Sequence, residues 1–303
     1  MFIYTFHMPA FIFVSGLFSK KTVNAEKLNW MKLFPYLYMC LLLAFLRYLS
    51  KFIYQSDRRL ELLKQSTISW FLFALFIYFV AAHAFRKYDR KYVMSFAVIL
   101  ALIAGYDSHV GTLFALSRVV CYFPFFYLGY CLDPKKLEEK LKKRSNKIIS
   151  AVILIGYACV CIFAIHPFYN FRRLITCQNA YATLPYTYGA WMGLLRLAYY
   201  AVALAVMMSV FCLVPSRRIK HISEYGSRTL AVYFWHLPIM EILMHSLYGA
   251  FTSSLWAWLG LSLLFSVVLV LLLSQEVFSR PLNWLMHPKL SKVGELEERK
   301  NDQ

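Results

Sequence analysis

Acidic residues are scarce: 15 Asp and Glu stand against 33 Lys and Arg in 303 residues. The seven cysteines contain no CxxC pair, and all but Cys177 lie in or at apolar runs, which argues against a disulfide framework or a zinc site. Nothing basic precedes the first apolar run, and Lys20 and Lys21 follow it, so the opening segment does not read as a cleavable signal peptide. No internal repeat and no low-complexity stretch stands out. What fills the chain is hydrophobic: 60% of residues are apolar and 18% aromatic, far more than a soluble domain of this length carries.

The expected fold is therefore all-α, a multi-pass membrane bundle. Nine apolar runs approach spanning length: 1–19, 33–54, 70–85, 92–104, 113–132, 148–167, 191–214, 229–249 and 255–274. Residues 1–288 form one transmembrane domain in this reading, and 289–303 a polar cytoplasmic tail. Alternate loops hold 24 Lys and Arg on one side and 6 on the other, which makes the heavier side cytoplasmic, together with the C-terminus. The +18 formal charge is thus topological and not a nucleic-acid footprint. The same parse puts Met1 outside without a hydrophilic head, so a further span before it is expected, giving ten helices.

Three arginines, Arg47, Arg118 and Arg196, remain inside runs, all toward outer ends. Each alone could snorkel, and as a group with His7 they suggest a polar site. His7 sits in MFIYTFHMPAFIFVSGLF, where Pro9 should distort the helix and Ser15 and Gly16 allow a neighbour close; a packing helix with one tolerated histidine is the alternative. In the eighth run Thr229, Tyr233, His236 and Met240 share one face, while Glu241 and His245, four apart, share another. A carboxylate beside a histidine suits a general base, and Glu241 equally suits a charge partner for Arg118 or Arg196. Arg118, Tyr122, Phe125 and Gly129 share a face of the fifth run. The basic loop DPKKLEEKLKKRSNK sets topology or attracts phosphates. The Tyr- and Asn-rich outer loop from Phe168 to Trp191 suits a sugar acceptor or an interfacial aromatic belt.

Four stretches in order, FHMPAFIFVSG, WFLFALF, SRVVCYFPFFYLGY and LAVYFWHLPI, resemble the acyltransferase-3 family of membrane O-acyltransferases, and within it the fucose 4-O-acetylase type. The resemblance implies about ten helices and transfer of an acetyl group from cytosolic acetyl-CoA, without a metal, to a hydroxyl of a cell-surface, exopolysaccharide or lipid-linked glycan at the plasma membrane. It implies His7 and His236 as base or positioning partners, Arg118 as electrostatic stabiliser, and Trp70 and Tyr233 as pocket walls. Glu241, as a catalytic carboxylate, and Arg196 and His245, as substrate-binding groups, rest on burial alone. Family members carry a histidine on a helix ahead of the FHMP stretch, the same span that the charge balance asks for. A transporter or flippase of a small anion or lipid-linked sugar, or an inactive shortened homologue, are the rival readings.

Overall fold

The computed structural model describes residues 2–54, 69–107, 115–163, 171–184, 188–215, 217, 219–247 and 255–286. The expected polar tail lies outside them. Every regular element among the described residues is helical: α1 Phe2–Leu17, α2 Lys20–Val23, α3 Trp30–Tyr54, α4 Trp70–Ala84, α5 Arg90–Ile103, α6 Leu116–Cys131, α7 Pro134–Lys142, α8 Arg144–Phe163, α9 at 171–175, α10 Met192–Leu213, α11 Lys220–Ser227, α12 Thr229–Leu247, α13 Leu255–Leu273 and α14 Glu276–Met286, with two 3-10 turns before α10.

Within the described residues, each of the nine apolar runs contains a helix. Three stretches, Trp30–Ser50, Arg144–Phe163 and Gly189–Leu213, are long and apolar enough to cross a membrane, and a fourth is formed if α13 and α14, bent by 58° at their junction, count together. α1, α4, α5 and α6 have 14 to 16 residues, about 21–24 Å at 1.5 Å per residue, short of a ~30 Å hydrocarbon layer. The chain is a helical membrane protein, with three to four strongly apolar helices among the described residues.

The helices fall into two compact units. The first contains α1, α2 and α4 to α10; the second contains α3 and α11 to α14.

In the first unit α1 and α6 touch backbone to backbone. A methyl on Gly16 would stand 2.0 Å from the Phe126 carbonyl oxygen, and one on Gly129 would stand 2.1 Å from that of Phe13. Only hydrogen fits at either place, the small-residue device that helices use where lipid offers no hydrophobic drive to associate. Pro9 supplies no N–H to the carbonyl of Thr5, and the Tyr199 hydroxyl of α10 donates to that oxygen at 3.4 Å instead. Thr5 and Tyr199 meet near one end, and Phe13 and Phe211 further along at 6.0 Å between rings. α1 and α10 therefore run in the same direction. Tyr200 reaches back to the Cys121 carbonyl at 2.5 Å, which brings the starts of α1, α6 and α10 to one end of the unit.

The segment 171–184 lies across that end as a strap. Ser117 donates to the Cys177 carbonyl at 2.7 Å and Tyr122 to that of Ile175 at 2.8 Å, while the Tyr181 amide donates to Gly105 at 2.6 Å. Gly105 has no room for a side chain, since a Cβ would meet the Tyr181 ring at 2.3 Å.

The basic loop after α6 is a helix. Asp133 caps α7, accepting from the Lys135 and Lys136 amides at 2.9 and 3.2 Å. These hydrogen bonds, that of Lys136 foremost, hold its carboxyl below the usual aspartate range.

In the second unit α12 packs on α3, α13 and α14. Trp235 donates to the Phe278 carbonyl at 3.3 Å, and Arg228 pairs with Glu276 at 3.1 Å.

Candidate functional site

The candidate residues divide between the units. His7, Trp70, Arg118 and Arg196 stand in the first; Tyr233, His236, Glu241 and His245 belong to the second.

Arg118 opens the first turn of α6 and is 4% exposed. Its guanidinium lies over the Trp70 ring, 5.0 Å from the centroid, and Trp70 stacks on Tyr122 at 5.5 Å and 26°. Arg118 and Tyr122 lie four residues apart on one helix face, so the stack follows from helical periodicity plus one tryptophan at the first residue of α4. A cation on the face of tryptophan is held in place by the ring quadrupole, and burial strengthens the attraction. Tyr78 holds the same turn by donating to the Arg118 carbonyl at 3.3 Å.

His7 is half-buried on α1. Its Nδ1 lies 2.9 Å from the Ile3 carbonyl, and its ring meets Tyr4 edge to face at 5.3 Å. A neutral ring donating from Nδ1 keeps its lone pair on Nε2, the state of a general base. His7 and Arg118 occupy the same end of the first unit.

Arg196 is fully buried on α10. Nη1 donates to the Ala101 carbonyl at 3.0 Å and lies 3.0 Å from the Cys121 sulfur, and the guanidinium sits 4.4 Å from the centre of the Tyr181 ring. Nε and Nη2 have no hydrogen-bond partner among the described residues. A buried cation with no carboxylate against it costs several kcal/mol unless something compensates it. Burial raises the Tyr181 phenol above its ordinary range, so this ring is neutral at physiological pH and brings no counter-charge.

Sequence reasoning pointed to Arg196 through its place in an apolar run, and missed Tyr181 and Cys121. Tyr181 lies in a loop crowded with tyrosines, and nothing in the sequence distinguishes it. Cys121 was weighed only as a disulfide or zinc candidate. The signal that could have found it is its place three residues after Arg118 on a helix already singled out.

In the second unit Glu241 is paired with Arg47, Nε to Oε1 at 2.7 Å. The Ser50 hydroxyl lies 3.0 Å from Oε2 and 2.9 Å from the Arg47 carbonyl, and its single proton serves one of them at a time. The sequence reading offered Arg118 or Arg196 as the carboxylate's partner. The structure gives it to Arg47, because Arg47 and Ser50, three apart, share the face of α3 that meets α12. His236 turns Nδ1 back on its own helix, 2.8 Å from the Val232 and 2.9 Å from the Tyr233 carbonyl, with its ring 6.4 Å from that of Tyr233. The side chain of His245 lies outside the described residues. Among those described, no group of three His, Cys, Asp or Glu side chains is placed to hold a metal ion.

No curated protein and no solved structure matches the chain. A family model for the acyltransferase domain of the acyltransferase-3 family matches residues 1–275. That match takes in both clusters of candidate residues and nine-tenths of the sequence, and the chain belongs to the acyltransferase-3 family.

Proposed function

We propose that this protein is a membrane O-acetyltransferase, of the fucose 4-O-acetylase type, that moves an acetyl group from cytosolic acetyl-CoA to a sugar hydroxyl of a cell-surface, exopolysaccharide or lipid-linked glycan at the plasma membrane. Residues 1–288 form its transmembrane domain in this reading, and the C-terminus is cytoplasmic. The observation that carries it is Arg118, buried on the Trp70 face and stacked through to Tyr122, at the same end of the unit as His7.

The sugar hydroxyl attacks the thioester carbonyl while His7 Nε2 takes its proton. The carbonyl oxygen gains charge, and the Arg118 guanidinium stabilises it in a site that excludes water. The carbon–sulfur bond then breaks, and the departing thiolate takes a proton from the imidazolium. Trp70 and Tyr122 keep Arg118 from swinging toward solvent. Glu241, paired with Arg47, secures α12 to α3.

The test is acetyl transfer from radiolabelled acetyl-CoA to surface glycan, in vesicles from a deletion strain complemented with each variant at matched levels. His7→Ala is expected to lose about 10²-fold or more, and Arg118→Ala about 10²- to 10³-fold. Undiminished transfer by both folded variants would overturn the assignment.

A further inference from the structure

The unused edge of Arg196 carries an inference about substrate. Nη1 is occupied by Ala101 and Cys121. The two idle donors, Nε and Nη2, lie along one edge of the planar guanidinium with their N–H bonds parallel. That edge matches the two oxygens of a carboxylate, which it holds through paired charge-assisted hydrogen bonds. A neutral carbonyl or hydroxyl could satisfy the donors but would leave the charge uncompensated. Among the described residues no carboxylate pairs with Arg196; its neighbours are a carbonyl, the Cys121 sulfur and an aromatic face. A monoanion with two coplanar oxygens supplies both missing quantities at once.

We propose that Arg196 is a binding residue for a carboxylate carried by one of the two substrates, a proposal that rests on the acyltransferase reading. The carboxylate belongs to the acceptor, as in a uronic acid, or to the acyl group, as in a succinyl donor. Tyr181 covers the guanidinium from the strap 171–184, so the ligand reaches Arg196 only when the strap lifts. Nη1 keeps its partners in the process, which fixes the fork before the ligand arrives.

The test uses the full chain in nanodiscs. Acetyl-CoA and succinyl-CoA are crossed with a neutral glucoside and the matching glucuronide, and kcat/KM is measured for each pair. The wild type is expected to prefer one carboxylated member by about tenfold or more, and which member it prefers identifies the source. Arg196→Lys keeps the charge and loses the parallel fork, so it should lower kcat/KM for that member about tenfold more than for its neutral counterpart. If that variant does not fold, the melting temperature of the wild type with sodium glucuronate or sodium succinate, against glucose and sodium chloride, decides the matter by itself. A rise with either carboxylate beyond both controls supports the site. No preference in turnover and no rise in melting temperature would overturn it, as would a rise with sodium phosphate alone. A wild type that acylates nothing refutes the acyltransferase reading, while the melting series still decides whether Arg196 binds a carboxylate.

Discussion

The two units treat an arginine inside an apolar run in opposite ways. In the second, Arg47 has a carboxylate against it at 2.7 Å and a serine on the other oxygen. In the first, Arg196 has a carbonyl, a thiol, a ring and an idle edge. A guanidinium stays charged at any physiological pH, so the arrangement at Arg47 is closed and that at Arg196 is open. A closed ion pair between two helices fastens them. An open cation in a dry site is an arrangement kept for something that arrives from outside.

The contrast can be broken by perturbing each arginine in turn. The largest expected effect is that of Glu241→Ala, which strands Arg47. The pair is 22% and 17% exposed, so the loss falls below that of a fully buried pair, at about 2 kcal/mol in denaturation of the purified protein. Converting both partners together, Arg47→Met with Glu241→Leu, should restore most of that stability, leaving a deficit of about 1 kcal/mol or less. If the double variant is as damaged as the single one, the pair does more than fasten helices. Arg196→Met is expected to leave the melting temperature unchanged or higher, since it removes an uncompensated charge and keeps the volume. A collapse in stability on that substitution would mean that Arg196 is as closed as Arg47.

The smallest effect sharpens the comparison with a carboxylate whose partners are backbone amides. Asp133 is held below the usual aspartate range by the Lys136 and Lys135 amides. Its contribution is complete above the ordinary aspartate pKa and disappears as pH falls through the depressed value. Amide exchange in the first turn of α7 should therefore accelerate only in that acid window, and in Asp133→Ala at every pH.

The long helices were legible because each is a predominantly apolar run, and the arginines within them because a charge inside such a run stands out. Helical spacing even placed Tyr122 with Arg118. The pairings were not legible. Arg47 and Glu241 are 194 positions apart, and the eighth run carries polar groups on two faces amid apolar residues on all sides, so its sequence does not say which face meets which helix. The short helices α7, α11 and α14 escaped notice because spanning length was the criterion, and they do not span. Tyr181 was invisible for a different reason: its role comes from a strap folded back over α10, a tertiary event with no local signature.

The crossing of α1 and α6 acts as a fulcrum. His7 lies nine residues from Gly16, about 13 Å along the helix, and both helices pivot where two hydrogens stand in place of two methyl groups. The approach of α1 to α6 is thus set at the crossing, where a Cβ would stand 2.0 or 2.1 Å from a carbonyl oxygen. Alanine at position 16 or 129 is a wedge driven under a lever, expected to push apart the two helices that carry His7 and Arg118.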